Sequence, residues 1–176
     1  MERTLALWSR LVRPLAASLW PLPLRFIVGF GFIEHGWSKL ARGPDAFPMI
    51  LHDLGLPAAH LLGWATILVE LAGGIAVLLG VLIPLASIPM IVVLLVAIFT
   101  VHLPYGFSSI KLESVSATGA HFGQPGYETD LLYIAALMAL VFGGAGPLRL
   151  ETLILRRLAR PSGAEEVASR AAVGGR

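Results

Sequence analysis

Residues 58–102 constrain this chain more than any other stretch, because they run almost unbroken through aliphatic side chains and hold one acid, Glu70, with no lysine or arginine. A helix that crosses a bilayer needs about 20 predominantly apolar residues. This stretch holds two such lengths, at about 58–83 and 85–102, and turns between them at Pro84 without a charge. Pro89 is expected to kink the second run or to mark its first turn. Two further apolar runs flank the pair, at about 22–40 and 128–143. Only 14% of the chain is charged and 56% is hydrophobic, against about 25% charged in soluble domains. The runs do not alternate in polarity as the strands of a transmembrane β-barrel do. The expected fold is therefore all-α: a polytopic membrane four-helix bundle spanning 21–147.

The connections and ends complete that picture. Residues 1–20 place Leu5, Trp8, Leu11, Val12, Leu15 and Leu19 at helical spacing with Arg3, Arg10 and Arg13 among them, which reads as a basic amphipathic helix in the headgroup plane. No unbroken apolar core precedes a small-residue cleavage site there, so a signal peptide is the weaker reading. Residues 148–176 repeat the theme, with a basic amphipathic helix and then a small, polar tail expected to be disordered. Between the first two runs lies a loop punctuated by Gly43–Pro44, Pro48 and Gly55–Pro57, with a short interfacial helix expected around Phe47–Leu54. Residues 104–128 read as a polar, Gly- and Ser-rich connection.

Both terminal arms carry arginines (Arg3, Arg10, Arg13, Arg25; Arg149, Arg156, Arg157, Arg160), whereas the two long loops hold only Arg42 and Lys111, with Lys39 at the edge. By the positive-inside rule both termini are cytoplasmic, both long loops face outward, and the chain is a multi-pass protein of the cell's inner membrane. The lipid bilayer is its first partner. A net charge of +2 is too small to imply nucleic acid, and a homo-oligomer is compatible with the pattern. Without cysteine, the chain supplies no disulfide, catalytic thiol or iron–sulfur ligand.

Ionisable groups inside a membrane are costly and usually face a partner, a cavity or a substrate path. In LRFIVGFGFIEHGWSKL, residues 24–40, His35 and Lys39 fall about 80° and 40° to one side of Arg25, Gly29 and Gly36 about 40° and 20° to the other, and Glu34 about 180° away. Arg25 either snorkels to inner headgroups or pairs with Glu70. Lys39 by itself reads as snorkelling outward. Glu70 lies near mid-span among Gly63, Thr66, Gly73 and Gly74, on a face that allows close helix approach. It is expected to meet His35 or Arg25. His102 ends the third run, and Glu128 with Asp130 begins the fourth. Four runs thus deliver His35, Lys39, Glu70, His102 and Glu128 to the outer half of one bundle. No fixed ligand spacing supports a metal site. Two histidines on different helices can ligate haem, but His35 has a carboxylate neighbour and His102 is at the rim, so haem ranks behind an organic ligand.

The run RFIVGFGFIEHGWSKL, then LGLP at 54–57 and VELAGGIAVLLG at 69–80, resembles the DoxX family. His102, the step Gly126–Tyr127–Glu128 and Gly144-x-Gly146–Pro147 follow in the family's order. The resemblance covers about residues 22–150 and carries the family pattern onto Arg25, His35, Gly36, Lys39, Glu70, Gly73, Gly74, His102 and Glu128. It implies a four-helix membrane protein. It also implies an association with quinone-linked redox chemistry, as in subunits of thiosulfate:quinone oxidoreductase, and with oxidative-stress complexes of the inner membrane.

Together these features point to a redox-associated membrane protein, a candidate quinone-linked oxidoreductase subunit, that binds a quinone or similar lipophilic molecule. His35, Lys39 and Glu70 are the candidate catalytic groups, and Arg25, His35, His102 and Glu128 the candidate cofactor ligands. Phe32, Ile67 and Phe99 are the expected walls. A histidine can donate to a quinone carbonyl, a carboxylate can relay a proton, and Lys39 would stabilise a developing anion. Electrons would come from a partner such as a soluble redox enzyme. The rival readings are a scaffold that docks soluble redox enzymes through its basic arms, and a small transporter or lipid-binding protein.

Overall fold

The computed structural model describes residues 18–152, so most of the basic amphipathic arm over 1–20, and the tail from residue 153, lie outside the described residues. The chain is mostly helical. Helix α1 (Pro21–Ala41) opens with proline in its first turn, where the missing N–H has no intrahelical partner anyway. After a tight turn, the short α2 (Ala46–Asp53) buries Pro48 and Leu51. Helix α3 (Ala59–Leu79) ends at Gly80, whose left-handed φ of 71° lets its N–H bond back to the Ala76 and Val77 carbonyls. Helix α4 (Ile83–Ala97) runs on through a π turn (Ile98–His102) and a 3-10 turn (Leu103–Tyr105). Helix α5 (Glu128–Gly143) follows the long outer connection.

Each long helix buries one stripe at helical spacing. These are Arg25, Val28, Gly29, Phe32 and Gly36 on α1; Gly63, Ile67, Glu70, Gly73, Gly74 and Val77 on α3; Ile83, Ser87, Met90 and Leu94 on α4; and Asp130, Leu137 and Leu140 on α5. The apolar core gathers Val28, Phe32, Val77, Met90, Leu94, Leu137 and Leu140. The opposite faces carry Phe26, Leu61, Leu68, Leu85, Ile88, Leu132 and Phe142, each at least 59% exposed. An apolar exterior around every long helix is what a lipid solvent demands and what water forbids.

Two segments, Ala59–Leu79 and Ile83–Tyr105, are long and apolar enough to cross a membrane by themselves. Helix α1 dilutes its apolar run with Arg25, Glu34 and Lys39. Helix α5 has 16 residues, about 24 Å at 1.5 Å per residue, against a hydrocarbon core of about 30 Å.

The all-α expectation needs one correction. Residues 104–128 contain an antiparallel hairpin, β1 (Leu112–Ser116) with β2 (Gly119–Phe122), pairing Ser116 with Gly119 and Leu112 with Phe122. Glu113 is the extra residue of a bulge between Leu112 and Ser114. Both faces are exposed, so no apolar alternation marked these strands in the sequence.

Helices α1 and α3 cross in backbone contact. A Cβ at Gly29 would stand 2.7 Å from the Gly74 carbonyl oxygen, and one at Gly74 would stand 2.7 Å from the Gly29 carbonyl. Gly74→Ala should therefore destabilise the protein by about 1–3 kcal/mol, read as a lower Tm in detergent. Ala72→Val, a similar enlargement at an exposed position of the same helix, should leave Tm nearly unchanged. Equal melting of the two variants would show that the helices do not meet at these glycines.

Candidate functional site

Four of the expected site residues line one cavity of about 820 Å³: His35 and Lys39 from α1, Glu70 from α3 and His102 from the π turn. The cavity lies largely between α3 and α4, with Phe47 and Leu51 of α2 on one side and Thr129, Asp130 and Tyr133 of α5 on another. Pro89 is also in its wall. A proline inside a helix removes one backbone hydrogen bond, and Pro89 stands in the α4 helix where it lines the cavity.

Two acid–base pairs occupy the cavity wall. Lys39 Nζ donates to both Glu70 oxygens, at 2.8 and 2.7 Å. The same ammonium sits 3.5 Å from the His35 carbonyl oxygen and 5.0 Å from the centre of the Phe47 ring. The sequence expectation that Glu70 meets His35 or Arg25 is thus corrected. Gly36 brings α1 so close to α3 that a Cβ there would lie 3.1 Å from Glu70 Cβ. Helical side chains lean toward the N-terminus, so Lys39, one turn further out, reaches back onto the carboxylate and does not snorkel outward.

The second pair joins His102 Nδ1 to an Asp130 carboxylate oxygen at 2.5 Å. A histidine held at one ring nitrogen presents the other in a fixed direction. The π turn contributes as well. Its i→i+5 bond, from the Leu103 N–H to the Ile98 carbonyl, widens the helix so that His102 falls closer to the line of the buried Ile98. Such turns recur at functional sites.

Asp130 and Tyr133 are the site residues that sequence reasoning missed. The signal was present: Asp130, Tyr133, Leu137 and Leu140 repeat at three- and four-residue intervals, marking the inward stripe of α5, and Glu128 is about 200° away from Asp130. Glu128 accordingly lies outside the cavity. Its carboxylate accepts the Ser109 N–H at 3.0 Å and ties the outer connection to the start of α5.

Tyr133 packs edge-on against both Phe32 (5.5 Å between ring centres) and His35 (6.4 Å). The His35 ring and the Tyr133 hydroxyl hydrogen-bond to no protein group among the described residues; both residues line the cavity, and the Tyr133 hydroxyl sits against Gly31 of α1. Of the expected walls, Phe32 is in place. Ile67 is instead sealed in the interior at 1% exposure, and Phe99 points outward at 69%.

Arg25 is not part of the site either. It is about 21 Å from Lys39 along α1, only 4% exposed, and it neither snorkels nor pairs with Glu70. Its guanidinium donates to five carbonyls: Val77 and Leu78 at the end of α3, and Ala145, Pro147 and Leu148 after α5. Gly80 makes room for it, since a Cβ there would stand 2.7 Å from Arg25 Cζ. Arg25 therefore fastens the end of the fold opposite the cavity by satisfying the orphan carbonyls of a helix terminus.

With the geometry described, comparison with known proteins defines the class. Residues 20–103, which cover α1 through α4, match the DoxX family model, and the family resemblance read from the sequence is borne out over that segment. Over that segment the chain is similar to DoxX-family membrane proteins. The chain is 28% identical over 138 residues to "Uncharacterized membrane protein Rv3486" of Mycobacterium tuberculosis, an alignment covering 76% of this chain and 80% of that protein. No solved structure matches.

The Lys39–Glu70 pair gives a stability prediction. Glu70→Ala strands a largely buried ammonium and should cost about 3 kcal/mol or more, whereas replacing both partners with apolar residues is close to neutral. The double variant Lys39→Met/Glu70→Leu should then melt above Glu70→Ala alone. A double variant that melts no higher than the single one would show that the two residues act independently.

Proposed function

We propose that this protein spans the inner membrane four times, with both termini cytoplasmic, and binds a quinone or similar lipophilic molecule in the cavity between α3 and α4. The observation that carries the reading is the convergence of His35, His102–Asp130, Lys39–Glu70 and Tyr133 on one otherwise apolar cavity. Ligand sites are typically concave and mostly apolar with a few placed polar groups. The residues suit a quinone head group: Phe32, Phe47, Val69 and Leu94 offer apolar walls, and 820 Å³ exceeds the needs of one ring with a short tail.

A bound quinone would supply the capacity to accept electrons, provided by a partner such as a soluble redox enzyme. The chain's own residues would bind and orient it. His35 is a free imidazole that can donate to, or accept from, a head-group oxygen. His102, steadied by Asp130 at Nδ1, presents its other ring nitrogen as a second polar contact. Histidine is the side chain best matched to proton exchange near neutral pH. Lys39 and Glu70 hold each other and so fix the wall behind His35. The four-span topology rests on the arginine bias of the two ends, which also assigns the cavity end, with its two long loops, to the outer side.

Two measurements test this. Reporter fusions at Gly43 and Ser116 should report the outside, and fusions after Arg160 the cytoplasm; termini on opposite sides would remove the four-span reading. Purified protein should bind decylubiquinone, and His35→Gln, which keeps a donor but cannot titrate near pH 7, should weaken that binding roughly tenfold at matched Tm. If neither protein binds decylubiquinone, the site is not a quinone site, and docking of soluble enzymes through the basic arms becomes the better account.

A further inference from the structure

The same cavity restricts the charge of what it holds, given the reading that it is a ligand site. Every cation that reaches it is already committed. The three N–H groups of Lys39 are directed at Glu70 Oε1, Glu70 Oε2 and the His35 carbonyl, and its open side rests on Phe47. Any positive charge on His102 is taken up by Asp130 at 2.5 Å. Arg25 is at the other end of α1 with all its donors on carbonyls.

Two carboxylates meanwhile face the cavity, Glu70 at 5% and Asp130 at 6% exposure. Lys39 offsets the charge of Glu70, so the wall offers an anionic head group no unpaired cation, and an unpaired ion in a weakly polar interior is heavily penalised. What the wall leaves free is uncharged above the ordinary histidine range: the His35 ring and the second ring nitrogen of His102.

We infer that the cavity takes a lipophilic ligand with an uncharged, oxygen-bearing head group, a carbonyl or a hydroxyl, and that Glu70 determines this specificity by withholding Lys39 from anions. Fatty acids and acidic lipid head groups are excluded. Lys39 then does not act as the stabiliser of a developing anion that the sequence reading assigned to it.

Oleyl alcohol and oleate isolate the point, because they share one chain and differ only in the head. Full-length protein in nanodiscs would be titrated with each tritiated compound at about pH 9, where the carboxylate is ionised, and binding to empty discs subtracted. Wild type should bind oleyl alcohol at least roughly tenfold more tightly than oleate, a difference of about 1.4 kcal/mol. Glu70→Gln frees Lys39 and should raise oleate affinity roughly tenfold with little change for the alcohol. Lys39→Met/Glu70→Gln should lose that gain.

The gain is read as oleate relative to the alcohol, because apolar surface exposed by misfolding would take up both chains. If Glu70→Gln fails to fold, the wild-type comparison alone decides. Wild type binding oleate as tightly as the alcohol overturns the inference, and so does a folded Glu70→Gln that binds the alcohol but gains nothing for oleate. Failure of wild type to bind either chain overturns it too, and the decylubiquinone titration then shows whether the proposed quinone site survives separately.

Discussion

The fold depends on the backbone contact between α1 and α3. Lipid tails are as apolar as leucine side chains, so helices in a bilayer gain little by hiding apolar surface from their solvent and must be held by packing and polar contacts. Gly29 and Gly74 let the two backbones touch. Arg25 fastens the pair at one end, and Lys39 with Glu70 toward the other. Helix α4 meets α3 through Met90 over Gly73, and the cavity lies between the same two helices toward Thr66 and Val93.

Polar groups inside this fold are matched one to one. No buried side-chain nitrogen or oxygen among the described residues lacks a hydrogen-bond partner. The two acids drawn deepest, Glu70 and Asp130, each meet a basic group from a different helix. Ser87 and Thr100 return their hydroxyls to the carbonyls four residues back, at 2.7 Å each. The His35 ring, which is exposed and lines the cavity, has no such partner among the described residues.

Much of this was legible in the sequence, for identifiable reasons. Apolar run length and proline or glycine breakers are strong signals. Helix α1 begins one residue from the expected Leu22, and the stretch read as one apolar run ending near residue 102 is one continuous helical path to Tyr105. The inward faces of α1 and α3 followed from angular position alone, which brought His35, Lys39 and Glu70 together on the page. Pairing was harder. Angle does not say which of two bases one turn apart reaches an acid, because that depends on how far Gly36 lets the helices approach. The destination of Arg25 was hidden altogether: its acceptors are backbone carbonyls, and any residue has one. Glu128 was preferred over Asp130 because depth was weighed without angle.

The π turn at Ile98–His102 has a consequence for how this protein can vary. It works as a phase shifter, one extra residue looped into a helix whose earlier part is locked to the core through Met90 and Leu94. Length is therefore a functional coordinate in this segment, separate from residue type. Deleting one residue between Ile98 and Val101 would let an ordinary α-helix form with the segments on either side nearly in phase, because the π turn is what absorbs the extra residue. It would shift His102 relative to Asp130 without altering either residue. A chain with such a gap could keep its hydropathy profile while changing that one pair in the cavity wall.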